Sequence, residues 1–241
     1  MIPDWLGRDL TRRALVSSPA VVKVMGQNRL NRGGDVRVWN PAPLEATVRA
    51  VCQRCNNGWM SAMEREIQPL LLRLLTGEAF VLHQAAQTQL ASWAFKTAVV
   101  MDQIAGTPSI LGTDAYNFYQ DRRPVAGVYI FVGSRAAEPW PAGVKWEDHP
   151  DSAFVRLKSR QLNDPNDTFE AYKKVIALGV LLIQVIGFTN VSDVGGVQYL
   201  AADSTCIWPY EIDREWPGEF GTLTVAETIP QHIELTITND E

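Results

Sequence analysis

Cysteine and histidine are scarce in this chain, at three of each in 241 residues. So few cysteines, and an odd number, exclude a disulfide framework; the one close pair, Cys52 and Cys55, suits a reducing compartment and metal or thiol chemistry. There is also no uninterrupted run of about 18 apolar residues, which excludes an obvious transmembrane helix. The longest apolar stretch, Val175 to Phe188, is broken by Gln184. Asp4, Arg8 and Asp9 interrupt any signal-peptide pattern at the start, so a cytoplasmic location is expected. No glycine-rich dinucleotide loop, Walker pattern or Gly-x-Ser-x-Gly elbow occurs, which removes the usual phosphate cradles and hydrolase nucleophiles. Internal repeats and low-complexity tracts are absent too.

What is present is unevenly distributed. The net charge is −5, which argues against the whole surface being a nucleic-acid platform. Residues 1–65, however, hold ten Lys/Arg against five Asp/Glu, a net of +5, and the remainder carries −10. Two domains are expected from this split: a small basic module over 1–65 and an α+β body over 66–241. A basic segment joined to an acidic body fits a phosphate-binding head on a scaffold. A merely solvated basic face fits the same numbers.

Hydropathy patterning gives the coarse order of elements. Val36–Trp39 and Ala46–Val51 read as short strands. Met60, Met63, Ile67, Leu70, Leu71, Leu74 and Leu75 recur at helical spacing, with Pro69 as a point of kinking and Gly77 as the stop. A second helix is expected from about Thr88 to Ile104, with one apolar face, and a third over Thr113–Asp121. Beyond Pro124 the chain turns to strands: Ala126–Val132, Ala153–Lys158, and a pair folded about Gly179 within Tyr172–Phe188. Leu223–Thr238 is ambiguous. The expected fold class is α+β: a small ββα-type zinc-knuckle remnant and a helical pair, followed by a mainly antiparallel β domain.

The chemistry concentrates at Cys52-Gln53-Arg54-Cys55. Cys-x-x-Cys places two thiolates on one turn, both within reach of a single Zn²⁺, but zinc takes four ligands, so Cys52 and Cys55 are half of a structural site. A redox pair is the competing reading; the polar Gln53-Arg54 gap and the following Asn56-Asn57-Gly58 favour the knuckle over a thioredoxin-like turn. His83, His149 and His232 are scattered and unpaired at ligand spacing. Cys206 reads as a small buried hydrophobe. Glu147-Asp148 and Glu211/Asp213, with no histidine near them in the chain, read as solvated loop charges. Trp140, Trp146, Trp208 and Trp216 read either as a partner surface or as core anchors.

The stretch Val51-Cys52-Gln53-Arg54-Cys55-Asn56-Asn57-Gly58-Trp59-Met60-Ser61, followed by a helix bearing Glu64 and Glu66, resembles the second knuckle of a group of HNH-endonuclease-like proteins of bacteria and phages. Leu90–Ala98 and the segment from Ile207-Trp208-Pro209 to Trp216-Pro217 resemble the same group, and Ile2-Pro3-Asp4-Trp5-Leu6 matches the end of its opening motif. The first cysteine pair and the Glu-His of that motif would fall before residue 1, so the resemblance implies an N-terminally shortened relative. It further implies a structural zinc half-held by Cys52 and Cys55, and Asn56 as the last letter of the HNH signature, facing a catalytic Mg²⁺ or Mn²⁺. Asn40 is a weak candidate for the middle asparagine, and the general-base histidine has no counterpart. DNA is the implied partner, contacted through Arg8, Arg12, Arg13, Arg29, Arg32 and Arg37. The expected function is therefore metal-dependent hydrolysis of DNA phosphodiesters in a full-length form, with this chain inactive. The alternative is a non-catalytic scaffold that binds DNA or protein.

Overall fold

In the computed structural model, the described residues are 51–102, 110, 112–135, 155–158, 168–178, 180–189, 197–199, 204–218, 222–223 and 235–237. The strands expected at 36–39 and 46–50, the opening segment 2–6, Asn40, His149, His232, Glu147, Asp148, Trp140 and Trp146 lie outside them.

A helical turn, Gln53–Cys55, passes through a π-helical turn, Asn56–Met60, into helix α1, Ser61–Thr76. The backbone leaves helical values at Gly58 (φ −95°, ψ −113°), which kinks the cysteine turn relative to α1. Pro69 sits within α1 without dividing it; the ring removes one backbone donor, and apolar packing on the other face holds the helix together. Ile67, Leu70, Leu71, Leu74 and Leu75 form that buried face. The division expected between residues 65 and 66 falls inside this helix. Gly77 ends it in the left-handed region at φ 68°, and the Glu78 N–H closes back on the Arg73 carbonyl at 3.1 Å. Glycine occupies this conformation without a β-carbon clash.

Strand β1 (Phe80–Leu82) leads into α2 (Gln84–Asp102), and α3 spans Gly112–Asp121. Helix α2 differs from the one-faced amphipathic helix expected. Leu90 through Ala98 are all buried, including Ser92, Lys96 and Thr97. The reason is position: α2 packs against α1 as well as against strands of the main sheet.

That sheet comprises β2 (Val128–Arg135), β3 (Val155–Lys158), β4 (Thr168–Leu178), β5 (Leu181–Thr189) and β7 (Thr205–Trp208) in the order β3-β4-β5-β2-β7, with β9 (Thr222–Leu223) alongside β2. All its pairings are antiparallel except β2 with β9. The expected fold about Gly179 is a hairpin in register Tyr172↔Gly187 and Leu178↔Leu181. Alternation on β4 sends Tyr172, Lys174, Ile176 and Leu178 inward. Every residue from Leu181 to Phe188 is buried, so β5 is central on both faces. Two small ribbons complete the described strands: β1 pairs with β8 (Arg214–Trp216), and β6 (Val197–Tyr199) with β10 (Leu235–Ile237). The fold is α+β, and no helix among the described residues is long and apolar enough to cross a membrane.

The tryptophans of the last segment serve the core. Trp216 is buried within it, which removes it from any exposed partner surface, and Trp208, half-buried, packs against it from its edge.

Candidate metal half-site

The two cysteines face water and are not packed into the core: Cys52 is exposed and Cys55 half-buried, both as free thiols. Local geometry brings them onto one turn. The Asn56 N–H donates to the Cys52 carbonyl at 3.0 Å, and the Cys55 N–H donates to the Cys52 Sγ at 3.3 Å. Donation from the Cys55 N–H is the main influence lowering the Cys52 thiol below its ordinary pKa, with Arg54 adding a favourable charge. A thiolate is the form that would bind a metal ion, and the lowered pKa favours it. Asn56 follows, exposed, its Nδ2 donating to Asn57 Oδ1 at 3.3 Å. Among the described residues no third His, Cys, Asp or Glu joins the pair to make a metal-binding group. The donor set therefore fits half of a tetrahedral zinc site.

What anchors this turn is Trp59. Its ring meets Phe118 and Tyr119 edge-on at 6.0 and 6.2 Å, and Phe118 meets Phe95 at 5.1 Å. Met60, next in the chain, is buried. One turn further, Glu64 Oε1 accepts from Lys96 Nζ at 2.7 Å, tying the start of α1 to α2. Lys96 is only 1% exposed, and burial holds its pKa below the usual lysine range despite the carboxylate beside it. The resemblance had singled out Leu90–Ala98 without assigning the lysine a role; its partner lies 32 residues earlier and no local pattern connects them.

A second polar cluster joins sheet and helices. Lys174 Nζ meets Asp102 Oδ1 at 2.6 Å, and the other Asp102 oxygen accepts from the Ile110 N–H at 2.8 Å. Beside it the Tyr172 hydroxyl donates to Asp114 Oδ2 at 3.4 Å. Burial, and secondarily the Asp114 charge, raise the Tyr172 phenol far above its ordinary value, so it remains a donor at neutral pH.

The reading of Glu211/Asp213 needs correction for Asp213. Its Oδ2 lies 2.6 Å from His83 Nδ1, and its Oδ1 accepts from the Tyr210 hydroxyl at 3.0 Å. The hydrogen bond from His83 is the main influence keeping the Asp213 carboxyl below its ordinary pKa. Sequence proximity could not reveal a pair 130 residues apart. The dyad is remote from the cysteine turn. Glu64–Lys96 joins the start of α1 to the later half of α2, and Lys96 follows His83 by thirteen residues. At about 1.5 Å per residue, His83 lies about 20 Å along the helix direction from Lys96, and it does not join Cys52 and Cys55 in a metal-binding group.

Cys206 lies in β7, half-buried, its thiol donating to the Trp208 carbonyl at 3.1 Å. Burial pushes that thiol up to about 11. At about neutral pH, iodoacetamide is expected to label Cys52 at least about tenfold faster than Cys206. Peptide mass spectrometry checks this, and equal rates would mean the Cys52 turn does not favour a thiolate.

Of the residues expected to touch DNA, Arg8, Arg12, Arg13, Arg29, Arg32 and Arg37 all lie outside the described residues. Comparison of the chain with family models, curated proteins and solved structures gives no match.

Proposed function

We propose that this chain is a homologue of HNH-type endonucleases, in which Cys52 and Cys55 supply half of a structural zinc site at the head of α1. The observation that carries the reading is the exposed cysteine turn, with its N–H···S bond and Asn56 immediately after it. A redox dithiol needs neither that asparagine nor the aromatic anchor of Trp59. In this reading Cys52 and Cys55 hold zinc with two further ligands, and Asn56 faces a catalytic Mg²⁺ or Mn²⁺. The catalytic cation would polarise a phosphate and acidify a water. The protein's own part is positioning: Trp59 and Met60 bind the turn to the core, and Glu64–Lys96 locks α1 against α2. The basic segment, with Arg8, Arg12, Arg13, Arg29, Arg32 and Arg37, would neutralise DNA phosphates. Hydrolysis requires a general base that the described residues do not bring to the turn, so this chain by itself is expected not to cleave.

Cobalt titration tests the half-site. The chain is expected to develop thiolate-to-cobalt charge-transfer absorption that Cys52→Ser and Cys55→Ser each abolish and Cys206→Ser leaves intact. Absence of that absorption from the unmodified chain would sink the reading. DNA binding at low salt and plasmid nicking with Mg²⁺ or Mn²⁺ test the reaction: the chain is expected to bind DNA and not to nick it. Failure to bind DNA at low salt would count against the nuclease homology and leave a protein-binding scaffold.

A further inference from the structure

The cysteine turn is bordered by a surface of unusual composition. Four large hydrophobics are notably exposed among the described residues, and two of them, Tyr116 at 62% and Tyr119 at 43%, lie three apart on α3. Residues three apart share a helix face, so the two phenol rings are neighbours. At the end of that helix, Arg122 adopts a left-handed backbone at φ 58°. This conformation is unfavourable for a residue with a β-carbon. It sets the guanidinium 3.8 Å from the Trp59 ring centroid and 4.4 Å from that of Tyr119, with Nη1 donating to the Tyr119 carbonyl. Arg123 follows, exposed. Among the described residues neither arginine forms an ion pair with a carboxylate.

We infer that Tyr116, Tyr119, Arg122 and Arg123 form a binding surface for an unpaired nucleic-acid strand, passing beside the cysteine turn through the shared Trp59. The inference deepens the nuclease reading and rests on it for the strand's path. Exposed ring faces stack bases regardless of sequence, and a planar guanidinium held on rings, as that of Arg122 is, offers its free N–H donors to phosphate. A buried-core role explains Trp59 and Phe118 but not Tyr116, which is the most exposed large hydrophobic of the described residues. Arg122 and Arg123 bring two positive charges beside the rings against one exposed carboxylate, Asp121, which favours an anionic occupant over an apolar protein face.

Fluorescence anisotropy with the whole chain tests this, using a short labelled oligothymidylate at low salt with chelator. Arms with oligouridylate and with the matching duplex separate the sources of the strand. Arg122→Gly is the informative variant, because a positive φ suits glycine and the fold is retained. Tyr116→Ala and Arg122→Gly are each expected to weaken single-strand binding about fivefold or more, while Tyr119→Phe keeps the ring and the affinity. The surface is overturned if no single strand binds. It is equally overturned if both weakening variants bind the strand as the unmodified chain does, or if they weaken duplex binding as much as strand binding. Cobalt titration of the same variants keeps the two readings apart. Strand binding through Arg122 by a chain that takes no metal would remove the half-site alone; metal binding with strand affinity indifferent to Arg122 would remove this surface alone.

Discussion

Gly187→Ala is expected to destabilise the protein by about 2–4 kcal/mol, measured by urea unfolding. Gly187 stands opposite Tyr172 on β4 and Val128 on β2, in the centre of the sheet. The Tyr172 ring lies across it: a β-carbon at 187 would overlap Cζ, Oη and Cε1 of that ring. Tyr172 cannot simply move aside, since it is 1% exposed and its hydroxyl is committed to Asp114. The cost therefore combines overpacking with a strained or broken buried hydrogen bond. Tyr172→Leu in the Gly187→Ala background should recover part of the loss, giving a coupling of about 1 kcal/mol or more between two sites in contact. Gly112→Ala is the control, because nothing lies within 4 Å of where its β-carbon would stand. A Gly187→Ala variant within about 0.5 kcal/mol of the parent would mean that the ring does not lie across the strand.

The second large effect is asymmetric. Glu64→Ala should cost about 3–5 kcal/mol, whereas Lys96→Met should stay within about 1 kcal/mol of the parent. Removing the carboxylate leaves a buried ammonium without its partner. Removing the ammonium leaves a carboxylate that is 24% exposed and can turn to water. Burial also sets the sign of the pH dependence. Folded Lys96 has a lower pKa than it has in the unfolded chain, so between the two values the unfolded state holds more protons. Stability from this group therefore rises with pH across the window that ends near the ordinary lysine value of about 10.4. Glu64 opposes the lowering, so Glu64→Gln should open the window at a lower pH and Lys96→Met should abolish it. Urea midpoints measured from neutral to alkaline pH check both. Equal losses from Glu64→Ala and Lys96→Met would contradict the unequal burial of the pair.

How much of this was legible beforehand depended on distance along the chain. Helix α1 and its stop at Gly77, helix α3, and the hairpin around Gly179 rest on local periodicity and on single-residue backbone preferences. Those expectations match the observed elements closely. The cysteine turn was equally local, since two thiols and an asparagine within five residues need no distant partner to be seen. Helix α2 was recognised as a helix but misjudged as one-sided, because the covering of its second face is contributed by elements elsewhere in the chain.

The sequence by itself thus determined where the three helices and the β4–β5 hairpin form and which turn carries paired sulfur, because these follow from spacing and from each residue's own conformational range; the short strands β1, β6, β7 and β8 were not among its expectations. Only the tertiary structure decided the partners. Lys96 with Glu64, His83 with Asp213, and Arg122 on Trp59 each join segments far apart in the chain. A contact of that kind is created by packing, and no pattern along one segment encodes it.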